Sequence, residues 1–156
     1  RRLGFSEDYL ALLLEAEALD EELGEDKKRV RVRSVLGFYY IARGSDPQLG
    51  WDYLDSCVGY PESIQDVAVL VPVGYDLCTS CLVSGDWKRI NRTAPTIIGL
   101  IEGSRTQTEF YDRHINPYSY LLAMWGVTTG ACGDFVQGES RFFQMPLWQW
   151  GPLFRP

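Results

Sequence analysis

The sequence is short of histidine, of net positive charge and of long apolar runs, and each shortage closes off a class of function. One histidine in 156 residues leaves little for a His-based metal site. The formal net charge of −6 argues against wrapping nucleic acid, because gripping phosphates takes a basic surface. The longest uncharged stretch, between His114 and Asp134, is broken by Asn116, Pro117, Ser119, Thr128 and Thr129. Its apolar part is too short to cross about 30 Å of hydrocarbon. The four cysteines are not spaced like a small secreted scaffold, and a chain of this length builds a core without staples. No phosphate loop, dinucleotide fingerprint or glycosidase carboxylate pair stands out. Asn91-Arg92-Thr93 matches the glycosylation acceptor pattern, which matters only in a secreted protein.

What is present is helical patterning. Ser6 precedes an apolar stripe of Leu10, Leu13, Leu14 and Leu19, and Gly24 is a natural stop. The acidic run from Glu15 to Asp26 gives way at once to Lys27, Lys28, Arg29, Arg31 and Arg33. Such a switch reads as two solvated faces either side of a turn. Val32, Val35, Leu36, Tyr39 and Tyr40 form a second helix face that ends at Gly44. Asp46 and Pro47 open a third helix that runs to Gly59. Pro61 and Glu62 start a fourth, which Pro72 breaks or kinks because it lacks an amide proton. The run "VAVLVPV" taken alone also suits a buried strand. Beyond it, Leu77, Cys78, Cys81 and Leu82 share one face up to Gly85. Ile90, Ala94, Ile97, Ile98 and Ile101 make the next face, with a restart expected at Pro95 and a stop at Gly103. A polar connector leads to a helix with Leu121, Leu122, Trp125, Gly126 and Thr129 inward. A last short helix must unravel by Pro146.

Three helix ends look alike: "LGFYYIARGSD", "LCTSCLVSGDW" and "WGVTTGACGDF". Aligned on Gly44, Gly85 and Gly133, they place Leu36-Gly37, Leu77-Cys78 and Trp125-Gly126 in register. The small residue lets a neighbouring helix approach, the glycine turns the chain, and Trp87 or Phe135 opens the return helix. The first unit resembles a tetratricopeptide repeat, with Leu36, Gly37, Tyr40, Gly44, Tyr53 and Pro61 at the motif positions. The third keeps Trp125, Gly126, Gly133, Phe135 and Phe142, and the second little beyond Leu77, Gly85 and Trp87. The likeness is loose and covers residues ~29 to ~143. The spacings, 85 − 44 = 41 and 133 − 85 = 48, depart from the family's repeat of about 34. The alanine expected in the return helix is replaced by Leu49, Ile90 and Gly138. The resemblance implies a groove built from the first helix of each hairpin, with Tyr39, Tyr75 and Tyr118 as exposed contacts.

Candidate chemistry centres on cysteine. Cys78 and Cys81 form one C-x-x-C pair, where a zinc site typically needs two. They fall late in a helix, where the dipole disfavours a thiolate. Both read as packing residues. Cys132 in "TTGACGDF", with His114 as base and Asp112 or Glu109 to orient it, is the alternative of a cysteine-dependent enzyme. The tail "MPLWQWGPLFRP" cannot hide its aromatics in a helix of its own. It either folds back over the core or docks on a partner, with Trp148, Trp150, Leu153, Phe154 and Arg155 as interface anchors.

The reading is an all-α chain of six to seven helices stacked as antiparallel hairpins. Residues 1–144 form the helical domain and 145–156 an extended tail. The expected role is a non-catalytic interaction or structural subunit that binds other protein subunits. No nucleic acid, cofactor or metal is expected, and membrane contact only through the tail. A helical regulatory domain of a longer protein is a further alternative. Arg1 in place of Met points to a removed presequence or a longer parent chain. The first of these would fit a soluble intracellular or organellar protein.

Overall fold

The computed structural model describes residues 6–58 and 66–144. Seven helices, and no strand among the described residues, make up the fold. They are α1 (Glu7–Glu22), α2 (Asp26–Arg43), α3 (Pro47–Val58), α4 (Val67–Ser84), α5 (Trp87–Ser104), α6 (Pro117–Ala131) and α7 (Phe135–Phe143). The all-α stack of antiparallel hairpins is therefore the architecture, and "VAVLVPV" is helix. The expected stop at Gly59 and start at Pro61 lie outside the described residues.

Short polar side chains set the helix starts. Ser6, Asp46, Asp66, Asp86, Asn116 and Asp134 each accept a backbone N–H of the first turn through the side chain. Gly44, Gly85 and Gly133 turn the chain after α2, α4 and α6 with φ of 69°, 78° and 104°, a region costly for any residue with a Cβ. The shared helix ends are thus three equivalent reversals: α2/α3, α4/α5 and α6/α7.

Neither internal proline breaks its helix. α4 runs unbroken through Pro72 and α5 through Pro95. Pro72 leaves the carbonyl of Ala68 without its usual donor, and Ala68 is exposed to water. In α5, Ala94, Ile97, Ile98 and Ile101 are all buried. At about 1.5–3 kcal/mol for each isoleucine, that burial offsets a proline cost of about 3 kcal/mol.

α2, α4 and α6 form a row in which each packs on the next, with α3, α5 and α7 behind it and α1 against α2. The main core joins Leu54, Val71, Leu77, Cys78, Cys81, Ile90 and Leu121. Val30, Cys57, Val69 and Val73 make a second cluster between α2, α3 and α4. α4 is long and apolar enough to cross a membrane, with a mean hydropathy of 1.7. Here it is the central core helix, packed on α2, α3, α5 and α6.

Glycine sets the closest helix approaches. A Cβ on Gly37 would lie 2.8 Å from the Gly50 carbonyl oxygen, and one on Gly126 2.8 Å from the Gly138 carbonyl oxygen. In the first hairpin the small residue is Gly50, not Leu49. Its turn carries one extra residue, Ser45, which shifts the register by one. Glycine does there, and at Gly138, what the missing alanine would do.

Candidate protein-interaction surface

The thiols are divided between core and surface. Cys78 and Cys81 are buried in the main cluster. Burial pushes the Cys78 thiol up to about 12, with Cys81 beside it adding to the rise, and pushes Cys81 up to about 11. Cys57, buried in the second cluster, is raised to about 11 for the same first reason. A thiolate is the nucleophile and the metal ligand, so these groups sit in their unreactive form. Cys132 is exposed and caps the C-terminal end of α6, where Asn91 Nδ2 donates to its sulfur at 3.6 Å. His114 is exposed just before the other end of α6. The 15-residue helix between them spans about 22 Å, so the proposed dyad is not brought together. Among the described residues no three of His, Cys, Asp and Glu converge in a metal-binding arrangement.

The three tyrosines do not line one open groove. Tyr39 is only 1% exposed. α1 covers it, with Tyr9 against its ring and its hydroxyl donating to the Ser6 carbonyl at 3.3 Å. Tyr75 is half-buried between Tyr120 of α6, 4.8 Å away, and the guanidinium of Arg113. Tyr118 is half-buried and donates to Glu102 at 2.8 Å. The expected groove is therefore closed at Tyr39 by α1 and at Tyr75 by the connector before α6.

That connector is anchored by a buried ion pair which the sequence reading missed. Asp76, 4% exposed in α4, accepts from Arg113 at 2.5 Å and from Ser34 of α2 at 2.8 Å. Burial raises its carboxyl to about 6, against the pull of Arg113. Next door, Arg31 of α2 pairs with Asp112 at 2.6 Å and holds that exposed carboxyl below its usual range. The available signal was a lone carboxylate inside the apolar helix α4.

The charge switch between α1 and α2 is also more than two solvated faces. The helices fold against each other, and acid meets base across the seam. Arg33 pairs with Glu17 at 3.2 Å, and Tyr53 donates to the same carboxylate at 3.1 Å. Arg29 lies 3.7 Å from Glu21, and Arg43 lies 3.7 Å from Glu7.

This pairing leaves the outer side of α1 uncovered. Leu12, Leu19 and Leu23 are 63%, 52% and 63% exposed. Spaced i, i+7 and i+11, they form one apolar stripe. A second uncovered apolar face lies at the other end of the stack. There Val127, Phe135, Val136 and Phe143 are 56%, 76%, 80% and 70% exposed. Phe135 thus opens α7 facing solvent rather than sealed against α6. The expected anchors Trp148, Trp150, Leu153, Phe154 and Arg155 lie outside the described residues.

The fold and these surfaces define a helical-hairpin stack with apolar faces at both ends. The chain matches no protein-family model, no curated protein and no solved structure.

Proposed function

We propose that the chain is a non-catalytic interaction subunit that binds other proteins in a larger assembly, using the outer stripe of α1. The observation that carries this reading is the row Leu12, Leu19 and Leu23 left open on a helix whose other side is held by α2. An amphipathic partner helix recognises such a stripe by i, i+3, i+4 and i+7 anchors. The partner's charge follows from composition. α1 carries seven acidic and no basic residues, so a helix with basic flanks is favoured over a second copy of α1. The resemblance of residues ~29 to ~143 to tetratricopeptide units points to the same class of role.

The experiment is capture of the partner on the tagged full chain, followed by cross-linking between carboxylates and amines. Cross-links from Glu15 or Glu22 to partner lysines support the reading. A partner linked only near Cys132 or His114 contradicts it.

A further inference from the structure

The second uncovered face, on α6 and α7, calls for a different occupant. We propose that residues 145–156 of this same chain fold back onto it and seat Trp148 and Trp150 in the cleft between the two helices. This inference does not depend on the partner face of α1.

The cleft measures about 320 Å³, near the lower end of small-ligand pockets. Gly126, Gly130 and Gly138 form its floor, and Val127, Phe135 and Phe142 its apolar walls. A floor without side chains suits a flat ring, and Phe135 and Phe142 offer it edges or faces. The cleft lies beside the face of α6 that α5 engages. There Asn91 of α5 accepts from Thr128 at 2.7 Å and from Thr129 at 3.3 Å. No described element covers the cleft as α5 covers that face.

Reach and composition select the occupant. α7 is nine residues long, about 13 Å. Trp148 and Trp150 stand four and six residues beyond Gln144, so an extended chain places them up to about 14 and 21 Å away. That span matches the way back along α7 to Phe135. Pro146 has no amide proton to donate to a helix, which disfavours a simple extension of α7 into the segment. Glu139 is the one charged residue lining the cleft, and Arg155 is the one charged residue of the segment. A tether this short gives an effective concentration of order mM, which a free partner would have to exceed.

The test is thermal unfolding of the full chain, of Trp148→Ala/Trp150→Ala, of Val127→Asp, and of all three changes together, at two concentrations tenfold apart. Each single lesion should lower Tm by at least about 4 °C. The combination should fall little further, because both lesions remove the same contact. The parent should run as one chain with a concentration-independent Tm. An unchanged Tm in the tryptophan variant overturns the proposal. So does an additive loss, which would place the tail elsewhere, or a Tm that falls on dilution, which would place it on a second copy. If Val127→Asp does not fold, Val127→Ser takes its place with the same outcomes.

Discussion

The α4/α5 and α6/α7 hairpins share a turn and differ in everything built on it. Both reverse at a glycine of positive φ followed by a capping aspartate, Gly85-Asp86 and Gly133-Asp134. In α4/α5 the small position of the repeat is Cys78, which lies with Ile90 and Ala94 in the main core. In α6/α7 it is Gly126, whose backbone touches that of Gly138. The α4/α5 hairpin packs between α2/α3 on one side and α6 on the other. The α6/α7 hairpin has one neighbour and an apolar outer face. Position in the stack, not the local motif, decides whether a repeated residue is core or surface. The same rule explains why a C-x-x-C pair here packs instead of reacting.

The largest expected effect falls on the tighter seam. Gly126→Leu puts a side chain where a Cβ already lies 2.8 Å from the Gly138 oxygen and 3.0 Å from the Phe142 nitrogen. Both atoms are backbone, so the helices must part, at about 3 kcal/mol or more. Gly99→Ala is the contrast. A Cβ there meets nothing within 4 Å, and helix propensity predicts a gain of about 0.5–1 kcal/mol. Urea unfolding reads both. Equal effects would remove the distinction between seam and open face.

The central hairpin answers to its thiols. Cys78→Ala/Cys81→Ala should destabilise by about 1–3 kcal/mol through lost packing, with partner binding retained by the folded fraction. Stoichiometric zinc or iron in the purified parent, lost in this variant, would replace packing with ligation.

A smaller, pH-dependent effect belongs to Asp76. Its folded value of about 6 lies above the ordinary 3.8, so the native state holds a proton there that the unfolded chain has released. The contribution of Asp76 to stability therefore falls as pH rises from about 4 to about 6, and is flat above. Asp66 and Asp112 are held low, first of all by their bonds to Lys27 and Arg31, and act with the opposite sign below that window. Asp76→Asn should abolish the downward slope in urea midpoints between pH 4 and 6. A slope unchanged in the variant would assign it to another group.

Punctuation was the legible part of the sequence. Gly44, Gly85 and Gly133 mark turns, Ser6 and Asp46 caps and the cysteine pair core, because each is a local statement about φ, a donor or burial. Misreadings arose where two distant segments decide the outcome. Pro72 and Pro95 look like breaks until neighbouring helices keep each side of the proline in one continuous helix. Glu17 looks solvated until Arg33 and Tyr53 close on it. Tyr39 looks like a groove contact until α1 lies over it. The Asp76–Arg113 pair joins residues 37 positions apart, a separation that no local pattern marks. Of the candidate site, the sequence carried the leucines of α1, but their inward or outward sense depended on how α1 meets α2. Leu19, which the periodicity groups with Leu10, Leu13 and Leu14, lies with Leu12 and Leu23 on the outer face.

The proposal with the most at stake is that this stack holds a partner by the outer stripe of α1 rather than acting through Cys132. Its most direct test is the amount of partner captured by Leu12→Glu/Leu19→Glu relative to the parent, with Tm measured alongside. The account predicts at least about a tenfold loss of capture with Tm changed far less, since more than half of each side chain is exposed. Full capture by that variant, or capture abolished instead by alkylating Cys132, would contradict it.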